Sequence, residues 1–526
     1  MIMRTKMFIV VFLPLLVLAL AGVSQAWQGR MGGAGDPYGL LQDESDFLIH
    51  PSKVASGEGI RYYGGYRFTY TGVMDWDHEL DVFTPTGVLF DNFLKEASGN
   101  ELKHNGLLGA AFPLGPGRMG LFFQYSGKRG EYEGEQVEWF LPATYYYDDY
   151  DLQSDLDDFA LMLLYGLPLG GFNLGGAVQI AYRGEDQEIQ YLEDFGGGFY
   201  YFWLNAPWGT AGPGANWRDF FPFMLPYDSH YWEALLKGSA EGAIGPVDVE
   251  FTLRGGFLFG GDNDYEYELQ VPAGNPVERF VLDGNVKGWQ IGGDLWVRYA
   301  LGDGLTLPFL VRVDYQDKTR DGDGMGELGR AGISYDYEDQ ERYFHLEAGG
   351  GVDKELDTNT RIAGGIYYAY LHGENGLWIM ELQPGGFWQN YDHSDFPVST
   401  EHQVIVRFTG EHEFTPSVTM RMGLGFFYGW VQEDFVFAYS NAAPSGYTDD
   451  ISSDGYHWGI GGSVGGTFTF NNFTLEPFVN GGWQQFDVAG DGGTASGGAF
   501  VQLLDMDLSR SEWYIGGGCS FHYDLP

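Results

Sequence analysis

From Ile60 onward the chain keeps a period of two. The clearest copy runs from Val247 to Phe259. Val247, Val249, Phe251, Leu253, Gly255, Phe257 and Phe259 fall on one face, and Asp248, Glu250, Thr252, Arg254 and Gly256 on the other. Strict alternation of an apolar and a polar or charged face is what a strand between lipid and water requires. A strand of a soluble sandwich alternates too, so the connections have to decide. Tight links centred on Gly115-Pro116-Gly117, Pro168 to Gly171, Gly245-Pro246, Gly302-Asp303-Gly304, Lys354 to Asn359, Phe414 to Ser417 and Asn471-Asn472 take turns with long polar stretches. Links rich in Gly, Pro and Asn are hairpin turns. Short turns at one end and long connections at the other match the periplasmic and extracellular ends of a barrel.

The predicted fold is therefore all-β, a transmembrane antiparallel up-and-down β-barrel over residues 60–526. A lone strand from Ile60 to Gly72, the hairpins, and a last strand from Glu512 to Tyr523 make about sixteen strands, within a range of roughly fourteen to eighteen. Eight long extracellular loops are expected, each of roughly 20 to 45 residues, with both termini in the periplasm. Closure is obligatory, because lipid leaves no partner for unpaired backbone groups. Trp232, Trp289, Trp430, Trp458, Trp483 and Trp513 fall near strand ends, as an interfacial girdle would. Cys519, on the apolar face of the last strand, is the only cysteine, so no disulfide forms within the chain.

Residues 1–26 read as a secretory signal peptide. Arg4 and Lys6 are its basic part, Met7 to Gly22 its apolar run and Ser24-Gln25-Ala26 its cleavage site. Export places the barrel in the outer membrane of a Gram-negative bacterium, among lipid and lipopolysaccharide. A formal charge of −45 excludes a nucleic-acid partner.

On this register the lumen is lined by Arg61, Arg67, Arg183, Lys237, Arg254, Arg298, Arg312, Arg361, Arg407 and Arg421. It also carries Glu233, Glu241, Asp248, Glu250, Asp294, Asp314, Glu347, Glu411 and Glu476. Two readings stand open: a hydrated pathway whose arginines orient an anion or a carboxylate, or a salt-bridge network that fills the barrel. The surplus acid falls in Tyr147 to Asp158, Glu185 to Asp194, Asp262 to Glu268, Asp314 to Glu341 and Asp449 to Asp454. Asp317, Asp321, Asp323 and Glu327 do not follow the EF-hand spacing. No specific metal site is expected there, and a solvated acidic rim that shares divalent cations with lipopolysaccharide is.

Between Gly184 and Ser229 the pattern changes. Phe199, Tyr200, Tyr201, Phe202, Trp203, Trp208, Trp217, Phe220, Phe221 and Phe223 concentrate large rings in one stretch. Such a set cannot all face water without making a large apolar patch. It either packs into the barrel mouth or presents a groove to an apolar solute, and these ten are the candidate substrate-binding residues. No catalytic residue and no cofactor is expected. Gly461-Gly462-Ser463-Val464-Gly465 matches a nucleophile elbow in letters only, since that motif needs a strand–turn–helix context and this one sits in an alternating strand.

Residues 27–59 do not alternate. Met31-Gly32-Gly33-Ala34-Gly35, Asp43-Glu44-Ser45-Asp46 and His50-Pro51-Ser52 resemble the start of FadL-type outer-membrane transporters of hydrophobic compounds. In that family a Gly-Ala-rich opening, an acidic stretch and an Asn-Pro-Ala turn form a plug. Here His50-Pro51-Ser52 stands in for the turn, and the strand count exceeds the family's fourteen. The resemblance implies an N-terminal plug, capture of an apolar solute at the extracellular side, and passage through the barrel or out of its wall. A general diffusion porin and a structural or partner-binding barrel without an open pore are the alternatives.

Overall fold

A computed structural model describes residue 40 and residues 44–84, 87–140, 145–193, 227–269, 278–328, 331–383, 387–439, 447–496 and 499–525. Residues 1–39, which hold the expected signal peptide, and residues 194–226, which hold all ten candidate aromatics, lie outside the described set.

The strands are β1 (Ile60–Thr84), β2 (Gly87–Leu114), β3 (Gly117–Phe140), β4 (Tyr145–Leu169), β5 (Phe172–Glu193), β6 (Tyr227–Ile244), β7 (Val247–Leu269) and β8 (Glu278–Gly302). They continue as β9 (Leu305–Leu328), β10 (Ala331–Glu355), β11 (Thr360–Gln383), β12 (Phe387–Thr415), β13 (Val418–Tyr439), β14 (Tyr447–Phe470), β15 (Phe473–Ser496) and β16 (Ala499–Leu525). Each pairs antiparallel with its sequence neighbours, and β1 pairs with β16 from Ile60↔Leu525 to Phe83↔Leu503, which closes the barrel. All seven predicted hairpin turns fall between strands. Two of them place non-glycine residues at positive φ, Asp303 at 53° and Asn471 at 52°, the conformation that primed hairpin turns demand.

The alternation survives intact. In β7, Phe257 is 68 % exposed and Thr252 0 %. The exposed face of the wall is apolar and the lumen holds the charges, the inverse of a soluble core. Trp232, Trp289, Trp430 and Trp513 are exposed on the outer face, and Trp458 meets Trp483 edge-on at 4.6 Å. All six lie roughly a dozen residues from the turn-side end of their strand, which is ~40 Å along the strand and ~28 Å along the membrane normal at a tilt near 45°. That is one bilayer core, so these rings mark its far boundary.

The strands do not stop there. At 22 to 29 residues for all but β6 they reach roughly twice the length a bilayer needs. The expected long loops are for the most part not loops. Tyr147–Asp158 lies in β4, most of Glu185–Asp194 in β5, Asp262–Glu268 in β7, most of Asp314–Glu341 in β9 and β10, and Asp449–Asp454 in β14. Acidic residues are poor strand formers, which is why their runs read as loops, but pairing continued from the membrane-spanning part overrides that propensity. The result is an acidic β-collar standing ~25 Å clear of the bilayer. On it Asp155, Asp186, Asp228, Asp264, Asp283, Asp323 and Asp336 stand directly opposite one another across β4 to β10.

Part of the abundance of glycine and aromatic residues has a packing cause. Rings fold flat over glycines on the neighbouring strand, where a side chain would collide. A Cβ at Gly72 would stand 2.6 Å from Trp513, and one at Gly364 2.8 Å from Phe408.

Candidate functional site

Residues 40 and 44–59 run inside the barrel, in the half nearest the short turns. Two 3₁₀ turns, Glu44–Leu48 and Pro51–Ser56, form there; Pro51 fixes φ at the start of the second, where no amide donor is needed. The segment reaches both sides of the lumen. Leu40 and Ile49 join Trp296, Leu310, Ala363 and Tyr367 on the β8, β9 and β11 side. Phe47, Leu48 and Val54 join Leu107, Phe122, Met162 and Leu164 on the β2 to β4 side. Phe47 lies 4.8 Å from the Phe122 ring and 5.1 Å from that of Tyr63.

Polar contacts fix its height. His50 Nδ1 and Thr252 Oγ1 are 2.6 Å apart, the Ser52 amide donates to Ser239 Oγ at 2.7 Å, and Lys237 Nζ donates to the Leu48 carbonyl at 3.0 Å. Arg298 donates to the Leu40 carbonyl at 2.8 Å. Lys53 Nζ sits 3.2 Å from Asp46 and 2.9 Å from Glu250, with the Trp296 ring 5.7 Å away. Burial, partly offset by Asp294, holds the His50 imidazole down at about 3, so it docks neutral. Gly175 and Gly166 supply the space. A Cβ on Gly175 would fall on the Ser52 amide, 2.5 Å from its Cα, and one on Gly166 would stand 2.6 Å from Val54.

The predicted lumen charges are inside the wall, and most are paired. Asp294 is shared by Arg254 and Arg312, and Arg254 also reaches Asp314 at 2.5 Å. Arg183 bridges Asp158 and Glu233; Arg298 and Arg361 share Asp353. Arg407 meets Glu347 at 3.0 Å, Arg421 meets Glu411 at 2.6 Å with Glu476 at 4.0 Å, and Arg61 meets Asp524 at the rim. Glu241 accepts from Asn173 and Ser56, and Asp248 is exposed beside its turn. Of the two lumen readings, the ion-pair network is what these residues form. Arg67 is the exception: among the described residues it has no carboxylate partner.

Sequence reasoning missed the wall residues that hold the inner segment, Thr252, Ser239 and Trp296. Their inward parity was legible, but nothing in the sequence says what faces them. Asp353, which the register also puts inside, was missed because it lies beside a turn. Gly461 to Gly465 runs within β14, with Ser463 buried and opposite Gly423 and Asn480.

No family model matches the sequence, and no curated protein is similar to it. Among solved structures the chain is similar to the Pseudomonas putida toluene transporter TodX, at 10 % identity, covering 95 % of this chain and 98 % of that one, with a TM-score of 0.39. A Pseudomonas aeruginosa FadL homologue is similar at 10 % identity over 95 % and 99 %, TM-score 0.39. The Ralstonia pickettii toluene transporter TbuX is similar at 10 % over 96 % and 100 %, TM-score 0.38. Likeness at this level carries no statement about what this chain does, which has to come from its own residues.

Proposed function

We propose that the protein is an outer-membrane channel for small hydrophobic or amphipathic solutes, with the inner segment as its plug and the collar as its extracellular mouth. The observation that carries this reading is the segment itself. It crosses the lumen from the Trp296 side to the Phe122 side and is held by buried hydrogen bonds and ion pairs. A general diffusion porin works through an open column of water, which such a segment obstructs. The ten aromatics between residues 199 and 223, which lie outside the described residues, remain the proposed apolar contact for such a solute. A barrel that serves as a scaffold for partner proteins is the second reading, favoured by the paired lumen arginines. Lipopolysaccharide and its divalent cations are the partners proposed for the collar.

Planar-bilayer recording and binding of a fluorescent fatty acid by the purified full-length protein separate these functions. Apolar transport requires no steady open-channel current, together with binding that is lost on Trp203→Ala and Phe221→Ala. A steady current would establish a diffusion porin. Silence without binding would leave the scaffold.

A further inference from the structure

Among the described residues, Arg67 is a lumen guanidinium without a carboxylate partner, on a wall whose nearest charges are engaged with other groups. It lies on β1 at the height where Arg254 and Arg312 share Asp294 on the far side, two positions above Tyr63 and so just above the Phe47 cluster of the plug. Its cross-strand neighbours are Gly518 and Asn105. One row toward the collar stand Thr69, Gly516, Asn480 and Lys103, and Lys103 is paired with Glu101 at 2.7 Å. One row toward the turns stand Gly65, Ser520 and Glu476, and that carboxylate is taken by Thr467 at 2.9 Å and Ser520 at 3.1 Å.

The surroundings are aromatic. The Phe478 ring lies 5.8 Å from the guanidinium carbon, and the hydroxyl end of the Tyr514 ring covers Gly482, its Cζ 2.6 Å from where a Cβ on that glycine would be. The buried Asn480 Oδ1 has no hydrogen-bond partner. A cation–π contact offsets part of the cost of holding a charge here but leaves the guanidinium's in-plane donors free. The other eight arginines predicted for the lumen are committed to carboxylates. This one is available.

We propose that Arg67 is a solute-binding site for a small organic carboxylate carrying a flat ring. The guanidinium fork takes the carboxylate through two parallel N–H···O bonds, Phe478 and Tyr514 take the ring, and Gly518 leaves the room in which the Phe478 ring lies beside the fork. A phosphate fits the fork equally well, but its second negative charge calls for a second cation, and the lysine in the adjacent row, Lys103, is already paired with Glu101. The assignment deepens the channel reading, since it names a solute class and the place where that solute pauses above the plug.

The test uses the full-length protein and its Arg67→Gln and Arg67→Lys variants, each checked for the heat-dependent electrophoretic shift of a folded barrel. Arg67 has no carboxylate partner, so neither variant strands a buried charge. Benzoate binding is measured by calorimetry, with inorganic phosphate and benzyl alcohol as comparisons. Binding by the wild type that weakens roughly tenfold to a hundredfold in Arg67→Gln, and less in Arg67→Lys, is the expected result. Benzoate binding that is equal in wild type and Arg67→Gln, absent from the wild type, or matched by phosphate overturns the site. Flux of benzyl alcohol into liposomes, unchanged by either variant, reports on the channel separately. Loss of that flux with Arg67-dependent benzoate binding intact would refute the channel and leave the site standing.

Discussion

Replacing Gly175 with alanine drives a methyl group into the backbone of the inner segment while leaving that segment's own sequence untouched. The new Cβ would fall on the Ser52 amide, and the wall cannot yield because β5 is paired on both sides with β4 and β6. The second 3₁₀ turn has to move instead. Displacement breaks the Ser52–Ser239 and His50–Thr252 hydrogen bonds, worth about 1 kcal/mol each, and overpacking adds about 1 kcal/mol or more. The docked state then loses about 3 kcal/mol, a factor of roughly a hundred in the undocked population. Lys53 reports it. Its side chain is 12 % exposed while docked, and cleavage of a transiently opened segment follows the open population when reclosing is fast. Trypsin should therefore cut Gly175→Ala after Lys53 roughly a hundredfold faster than wild type, with the product identified by mass. Gly176→Ala is the control, because its Cβ would have only the Lys237 carbonyl at 3.8 Å. Equal cleavage of wild type and Gly175→Ala, or equal acceleration by Gly176→Ala, would show that the inner segment is not held against β5.

Three further outcomes follow from the same geometry. Phe47→Ala empties the contact with Phe122 and Tyr63 and should cost about 3 kcal/mol of docking or more, read by the same cleavage. Acid should loosen the inner segment. His50 titrates near 3 when docked and near 6.5 when free, so above pH 6.5 both states are neutral, and below it the free state gains a proton that the docked one refuses. Going from pH 7 to pH 5 then weakens docking by about 2 kcal/mol, and a His50→Asn variant with no such pH dependence confirms the source. Asp294→Asn takes away the carboxylate that Arg254 and Arg312 share; a loss of about 3 kcal/mol or more should appear as a lower temperature for the heat-dependent electrophoretic shift, and an unchanged midpoint would refute the network's structural role.

The barrel was legible because a period of two with one apolar face has few alternative explanations, and because turn residues such as Asp303-Gly304 and Asn471-Asn472 declare themselves locally. Strand ends were not. Nothing in Glu131 to Glu138 or Asp148 to Asp158 resembles a strand by composition; pairing in register with neighbours already held by the membrane makes it one. The lumen arginines were readable by parity, but their partners belong to other strands, and the free state of Arg67 is a fact about Gly516, Gly518 and the commitments of Glu476. Residues 44–59 gave the weakest local signal of all. Their conformation depends on the surface they lie against.

Every pairing in the wall joins sequence neighbours except one. The contact of Arg61 with Asp524 ties residues 463 positions apart, and beside it the Asp524 amide donates to the Asn472 carbonyl. Until that seam forms, the growing sheet carries two bare rims of unsatisfied amides and carbonyls, each a template for pairing with a foreign strand. One late, long-range event, penalised by the loop entropy of nearly the whole chain, removes both hazards together. Asp524 therefore fastens only the turn-side end of a seam whose register runs on from Tyr62↔Tyr523 to Phe83↔Leu503, and it is that whole length of β1 against β16 which turns a row of hairpins into a cylinder.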